Sequence, residues 1–445
     1  MPDLRTAVHA MMPRAERELA ELVAMRSVAD PRQYPAAECV RAAEWVRDAV
    51  RGTGIDAELV ETVDGSHAVV GHRPGPDGAP TVLLYCHYDV QPPGDESLWH
   101  TPPFELTIGD DGRWYGRGAA DCKGNTLVHL LALRALGDRC PVGIRFVAEG
   151  SEEQGTGGLD NLVENRPELF DADMILIADT GNAAVGQPTL TTSLRGAANL
   201  VVHVETLSSA VHSGMFGGAA PDALAALIAM LASLRDDAGN TVVEGIDTHQ
   251  TWDGVEYPED RFRTDAGVLD GVGRAGSGSV ADAVWARPAV TILGIDAPPV
   301  VGSAVAVQPK ASARLNLRVP PGMDTLAVQD ALVAHLERAT PFGAKVTFER
   351  EQPGSPFRAV TTGPGYRALT SALRDAYGRD VGSIGQGGSI PLCNTFATTF
   401  PDAEIALFGV EEPRCLIHAA NESVDPSEIE NLAVAEALFL RSYGS

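Results

Sequence analysis

Five side chains with the chemistry of metal ligands stand at the ends of apolar runs in this sequence: His87, Asp121, Glu153, Asp179 and His418. His87 closes the run Thr81 to Cys86 (TVLLYC), and Asp89, two residues on, emerges on the same side of an extended chain. A carboxylate held against the second ring nitrogen fixes the tautomer of an imidazole and raises its basicity, which suits a ligand. Taken alone, a strand-end His paired with a loop Asp explains these two residues equally well. Asp121 lies in GRGAADCKG just ahead of a helical pattern, Glu152 and Glu153 follow the run Gly143 to Ala148, and Asp179 follows Met174 to Ala178. Each acid by itself fits a helix cap or a solvated loop. Adjacent Glu152 and Glu153 point in opposite directions in an extended chain, so one is free to bind a metal while the other faces a substrate. His418, in LIHAANE, falls between the last strand-like run and the last helical one. As a set, the five form an inventory for two metals: one His and one terminal carboxylate per ion, with Asp121 bridging. Two divalent cations, three carboxylates and a bridging hydroxide leave no net charge.

These residues need a frame. Helical periodicity covers residues 3–27 and Ala36 to Arg51, followed by strand-like segments at Ala57 to Thr62, His67 to His72 and Thr81 to Cys86. A helix over Lys123 to Leu136, a strand over Gly143 to Ala148, a helix after Gly157 and a strand over Met174 to Ala178 continue the alternation. The pattern predicts an α/β domain with a mainly parallel central sheet covered by helices, and ligands in such sheets bind at the carboxyl ends of the strands. From about Leu194 the rhythm changes: strand Asn199 to Glu205, helix Pro221 to Arg235, strands Ala289 to Leu293 and Ala313 to Val319, helix Asp324 to Arg338, strand Lys345 to Arg350. That order is the split βαβ pattern of a ferredoxin-like α+β domain. A polar, Gly-rich stretch over 238–287 reads as an insertion within it. After Pro356 the first rhythm returns, with helix Gly365 to Tyr377, strand Glu404 to Phe408 and helix Pro426 to Tyr443. The expected organisation is one domain built from 1–193 and 357–445, interrupted by a smaller one at 194–356.

Composition narrows the classes. With 44% hydrophobic and 21% charged residues, the 445-residue chain has the profile of a globular protein. A net charge of −26 opposes nucleic acid and anionic membrane surfaces. The longest apolar stretch, near Ala223 to Leu234, falls short of the roughly 20 residues that cross a bilayer. The six cysteines show no CxxC spacing and the first residues lack the order of a signal peptide, so a cytoplasmic location is expected. GxSxG, HExxH and GxxxxGK[ST] motifs are missing.

Ordered motifs along the chain carry a resemblance: HYD at 87–89, WYGRGAADCKGN at 114–125, EGSEEQGTGG at 149–158, ADT at 178–180, SLRG at 193–196, HSGMFGG at 212–218, LNLRVPPGM at 315–323, GGSIPL at 387–392 and LIHAANE at 416–422. The sequence resembles the dinuclear-zinc metallopeptidases that include aminoacylases, glutamate carboxypeptidase and the cytosolic non-specific or carnosinase-like dipeptidases. The resemblance implies a zinc aminopeptidase-like catalytic domain with a lid and dimerisation domain. It assigns His87 and Asp179 to one metal, Glu153 and His418 to the other, Asp121 to the bridge, Asp89 to holding His87, and Glu152 to the general base. It implies that His212 crosses a homodimer interface to stabilise the oxyanion; a loop His capping the helix near Pro221 is the plainer reading. Arg318, Gly388 and Ser389 look like the carboxylate grip of the dipeptidase branch, although Arg314, Asn316 and Arg318 share one strand face and equally suit a solvated edge. The expected cofactors are two divalent ions per subunit, zinc foremost with manganese or cobalt as alternatives, and the expected partner is a small peptide substrate. A deacylase acting on N-acyl or N-carbamoyl amino acids is the competing activity; a non-catalytic binding protein on the same fold would show a lost ligand or base, whereas all seven matched positions are present.

Overall fold

A computed structural model describes residues 3–388 and 390–444. The chain divides into two units. One comprises the chain up to Thr192, Ala359–Ile384 and the chain from Pro391 onward; the other comprises Ser193–Arg358 with Gly385–Gly388 and Ile390.

The first unit is built on a mixed sheet. Its strands run in the order Asp56–Glu61, His67–Arg73, Gly143–Glu149, Thr81–His87, Met174–Ala178, Glu404–Phe408 and Thr189–Leu194. The four central strands are mutually parallel, and the flanking pairings are antiparallel. The sheet is therefore mixed where the apolar pattern predicts mainly parallel pairing, because a run such as TVLLYC reports burial on both faces but not the direction of its neighbour. Met174–Ala178 is buried at every position, and Thr81–His87 at all but Thr81. Helix Lys123–Leu136 has only Arg134 outside the buried set. It packs against helices Leu4–Val23 and Pro426–Tyr443, and the latter also packs against Pro364–Tyr377. Asp425 opens the last helix, accepting the Ser427 amide at 3.0 Å ahead of Pro426 at the first position.

The carboxyl ends of the parallel strands determine where chemistry is possible. His87 ends one strand, Glu152 and Glu153 follow the strand ending at Glu149, Asp179 follows Ala178, and Glu411 follows Phe408 by three residues. Asp121 and His418 come from connections beside a small sheet in which Ser423–Val424 and Thr107–Ile108 flank Trp114–Tyr115.

The second unit is a four-stranded antiparallel sheet in the order Ala289–Asp296, Lys310–Val319, Gly196–Glu205, Lys345–Arg350. With helices Ala223–Ala232 and Thr325–Arg338 in the connections, this is the ferredoxin-like order. Gly196–Glu205 alternates buried and half-buried residues along its length, so one face packs on the helices. Asp222 and Asp324 cap those helices, accepting the amides of Leu224 at 2.9 Å and Ala327 at 2.7 Å. The 238–287 stretch is more ordered than its Gly content suggests: it contains helix Glu259–Asp265 and a π-helical turn at Asp282–Ala286.

In the first unit His129 ties three elements together. Its Nδ1 lies 2.7 Å from Glu436 Oε2 on the last helix and its Nε2 lies 3.0 Å from the Tyr85 carbonyl on the central strand, all fully buried. Burial opposes charge on the ring, but Glu436 holds its pKa above the usual histidine range. Removing one partner of such a pair leaves the other buried and unpaired, at a cost of about 3–5 kcal/mol. Glu436→Ala is therefore expected to shift the urea unfolding midpoint sharply down, whereas the double substitution His129→Leu/Glu436→Leu recovers most of that loss.

Candidate metal centre

Asp121 occupies the middle of the cluster. Its Oδ1 lies 3.0 Å from His87 Nε2 and its Oδ2 lies 3.0 Å from His418 Nε2. His87 Nε2 also meets Asp179 Oδ1 at 3.1 Å, and His418 Nε2 meets Glu153 Oε2 at 3.3 Å. The structure thus brings His87, Asp121, Glu153, Asp179 and His418 into two groups that share one carboxylate. Asp121, Glu153 and His418 present ligand atoms within 4.8 Å of one another, as do Asp121, Asp179 and Glu411.

The tautomer of His87 follows from its other contact. Nδ1 is 3.1 Å from the Asp89 backbone carbonyl and directs its proton there, which turns Nε2 toward two carboxylates as the nitrogen available to a metal. The Asp89 carboxylate stands 3.4 Å from Nδ1, and its hydrogen bonds go elsewhere: Oδ1 accepts the Glu152 amide at 3.2 Å and Oδ2 the Glu153 amide at 3.1 Å. Asp89 therefore links the strand-end histidine to the loop that carries both glutamates. Gln91 adds to this hold, donating its side-chain amide to Glu153 Oε2 at 2.8 Å and its backbone amide to Oε1 at 3.1 Å.

Asp121 is positioned by its own backbone. The amides of Ala120 and Asp121 donate to Glu422 Oε1, both at 3.1 Å, and Gly118 donates to Oε2 at 3.0 Å. Arg117 Nη1 closes the other side of that carboxylate at 2.7 Å, with both side chains buried. Leu416, His418 and Asn421 all adopt positive φ, at 52°, 64° and 66°, as the chain turns to present His418. Asn421 Oδ1 pins that turn by accepting the His100 amide at 2.7 Å.

Three contributors are not evident in the sequence pattern. Glu411 is buried beside Asp121 and Asp179, accepting Asn125 Nδ2 at 2.8 Å, while Asn125 Oδ1 accepts the Val410 amide at 2.9 Å. Glu422 cradles the bridging residue. Cys122 offers sulfur next to His87 and Asp179, but its Sγ donates to the Ala178 carbonyl at 3.0 Å and burial pushes its pKa well up, which keeps it a thiol. The signal for Glu411 was its place just after a strand, the same context as the other acids. Glu422 lies within LIHAANE itself.

The electrostatics are unbalanced without a cation. Burial, reinforced by neighbouring acids, raises the pKa of Glu152, Glu153, Asp179 and Glu411. Hydrogen bonds that His418 donates to Asp121 and Glu153 push its pKa up to about 10. Lys123, two residues from Asp121, offers no relief: its ammonium donates to the Leu22 and Met25 carbonyls, and burial lowers its pKa to about 7. Carboxylates crowded at this depth, with two imidazole nitrogens facing them, fit divalent cations in composition and arrangement.

The remaining candidates lie in the second unit. His212 is exposed; its Nδ1 accepts the Gly214 amide at 3.1 Å and caps the short turn Ser213–Phe216, while the helix at Ala223 is capped by Asp222. Capping near Pro221 is thus not its role. Arg318 lies on Lys310–Val319, an interior strand flanked on both sides, so the solvated-edge reading fails. It is half-buried, and its side chain has no hydrogen-bond partner among the described residues. Arg314, on the same face, pairs with Glu351 at 2.6 Å, and Asn316 donates to Asn199 at 2.6 Å. Gly388 is exposed, and Ser389 lies outside the described residues.

Comparisons with known proteins place this geometry. Residues 83–442 match the model of peptidase family M20/M25/M40. The chain is 45% identical over 442 residues to cysteinylglycine-S-conjugate dipeptidase of Corynebacterium striatum, covering 98% of this chain and 97% of that protein. It is 28% identical to Cys-Gly metallodipeptidase dug1 of Schizosaccharomyces pombe, covering 80% of this chain and 78% of that protein. Among solved structures, human carnosine dipeptidase 1 superposes with a TM-score of 0.81 at 25% identity, covering 99% of this chain and 98% of that one. With the family model spanning most of its length and a relative this similar from end to end, the chain belongs to peptidase family M20/M25/M40 and is a metal-dependent hydrolase of the dipeptidase type.

Proposed function

We propose that the protein hydrolyses dipeptides with a free C-terminal carboxylate at two divalent cations, with Glu152 as general base, and that it works as a cytoplasmic homodimer. The observation that carries this reading is the shared Asp121 carboxylate, one oxygen toward His87 and the other toward His418. His87 and Asp179 would hold one ion, Glu153 and His418 the other, and Asp121 both; zinc is the first choice, with manganese or cobalt accommodated by the same mixed donors. Bound there, the cations supply an activated water and polarise the scissile carbonyl.

The chain's own groups do the rest. Glu152 is the acid of its pair left free: Glu153 is occupied by Gln91 and His418, whereas Glu152 is held only through its backbone, by Asp89. A half-buried carboxyl whose proton affinity is raised by desolvation and neighbouring acids is suited to take a proton from water and pass it to the departing amine, a role worth roughly 10²- to 10⁴-fold. Arg318, without an acidic partner, would pair with the substrate's terminal carboxylate. The names of the relatives make Cys-Gly and its S-conjugates the first substrates to assay.

Support for a dimer comes from the outermost strand of the second unit's sheet. Ala289–Asp296 exposes Ile292, Leu293 and Ile295, and the connection after it exposes Val300 and Val301 almost entirely. A long apolar edge of this kind calls for a partner, and a second copy supplies one isologously. In that dimer His212 acts from the neighbouring copy, stabilising the oxyanion.

Three outcomes test the reading. Glu152→Gln is expected to lose at least about 100-fold in kcat while elemental analysis still finds about two metal equivalents per chain; full activity, or loss of metal, overturns the base assignment. Exhaustive chelation is expected to abolish turnover, and adding back Zn²⁺, Mn²⁺ or Co²⁺ to restore it. Inactive His212→Ala and Glu152→Gln proteins, unfolded together and refolded as a mixture, are expected to regain about a quarter of wild-type activity, since half the dimers carry one intact composite site. No recovery in a mixture that does form dimers would show that His212 serves its own chain.

A further inference from the structure

Arg195 and Arg318 are an unusual pair. Arg195 is 8% exposed, yet neither it nor Arg318 has an acidic partner among the described residues. Burial, together with the charge of Arg318, lowers the Arg195 pKa to about 10, and its Nε has no hydrogen-bond acceptor. Arg318 pairs in register with Ala197, two residues from Arg195, and two neighbouring guanidinium groups without an acidic partner leave positive charge that a carboxylate would relieve.

The glycine-rich segment 385–388, the end of strand Gly382–Gln386 and the bend after it, is built against this pair. The Arg195 amide donates to the Gln386 carbonyl at 3.1 Å, and a methyl group at Gly387 would stand 2.8 Å from an Arg195 guanidinium nitrogen. Gly385 is pressed on its other side by an indole: a methyl group there would lie 2.7 Å from Trp285 Cβ and 3.0 Å from Cγ. A side chain at Gly385 or Gly387 would therefore have to displace Trp285 or the Arg195 guanidinium, so the segment approaches both as closely as glycine permits.

Trp285 comes from the 238–287 insertion, on the π-helical turn Asp282–Ala286. Its ring stacks on Tyr257, with centroids 5.5 Å apart and planes at 16°, and meets Trp252 edge-on at 5.3 Å. Asp282 ties the insertion to itself by accepting the Trp252 amide at 2.7 Å and the Ser279 amide at 3.0 Å. The carbonyls of Ala283 and Arg287, on either side of Trp285, accept from Arg195 Nη1 at 3.4 and 3.2 Å. The same guanidinium thus holds the insertion and borders the glycine-rich segment.

We propose that Trp285 is a positioning residue: the insertion uses it to fix the Gly385–Gly388 segment beside Arg195 and Arg318, and so sets the affinity for the carboxylate end of the substrate. This rests on the reading of Arg318 and the glycine-rich segment as the carboxylate grip. Trp285 touches no reacting atom, so its loss should act on substrate binding and leave the metals and the base untouched.

The test compares a dipeptide with its C-terminal amide on the metal-loaded enzyme. Trp285→Ala is expected to raise KM for the free-carboxylate dipeptide by about tenfold or more, since small misplacement of a positioning contact has effects of that size. It should leave kcat within about twofold, metal content unchanged and kcat/KM for the amide at its wild-type value. Trp285→Phe, which restores an aromatic face, should return most of the KM. Unchanged KM, or equal losses on the acid and the amide, overturns the proposal. If Trp285→Ala does not fold, Gly385→Ala presses on the same contact from the other side, and the same selective rise in KM is expected or the proposal falls. A wild-type enzyme that hydrolyses acid and amide equally well overturns the grip reading and this proposal with it, and is told apart by needing no variant.

Discussion

One carboxylate organises the metal centre. Asp121 faces an imidazole with each of its oxygens, and both groups of candidate ligands share it. Such an acid has to stay ionised although it is buried. Burial opposes its charge, but the hydrogen bonds to His418 and His87 hold its carboxyl below the usual range. The neighbouring acids lack equivalent partners, and their proton affinities rise instead. An excess of buried negative charge is expensive unless cations share the space, so the demand for metal is built into the packing of the site as well as into its ligand list.

Around that bridge, charge is used to place backbone. Glu422, neutralised by Arg117, takes three amides of the loop that leads to Asp121. Asp89 takes the two amides that present Glu152 and Glu153. Charge-assisted hydrogen bonds to N–H groups are roughly twice as strong as neutral ones, and they are directional. The two loops that carry Asp121 and the Glu152–Glu153 pair are thereby each held by a buried carboxylate. Rigid loops at the carboxyl ends of parallel strands are what a hydrolytic site on this type of sheet requires.

Much of this was legible in the sequence, and what was not has a physical reason. Helices Ala36–Arg51, Lys123–Leu136 and Pro426–Tyr443, and strands Met174–Ala178, Lys345–Arg350 and Glu404–Phe408, carry clean periodicity or unbroken apolar runs and fall where the pattern puts them. Helix Pro391–Thr399 is missed because PLCNTFATT is short and rich in β-branched Thr, and strand Gly382–Gln386 because glycine hides it. Antiparallel flanks of the sheet are invisible to a pattern that records burial alone. The five ligand candidates stand out because each follows an apolar run or precedes a helix. Glu411 has the same placement after a strand but is not singled out in the sequence; the fold buries it with Glu412. The structure also redirects Asp89: its carboxylate is aimed mainly at the Glu152 and Glu153 amides, and the His87 proton goes to the Asp89 backbone carbonyl.

Net charge and local charge pull in opposite directions on the substrate, and distance decides between them. At −26 the protein as a whole repels anions, an effect screened beyond about 8 Å at physiological ionic strength. A zwitterionic dipeptide has no net charge and approaches without that repulsion, whereas an N-acyl amino acid brings one uncompensated negative charge through the same field. If, as proposed, the substrate's carboxylate pairs with Arg318, that contact is short-range, where an ion pair of low exposure would outweigh the screened field of distant surface acids. The long-range term therefore favours substrates that are neutral overall, and the short-range term favours those with a free carboxylate. A dipeptide meets both conditions, and an N-acyl amino acid meets only the second.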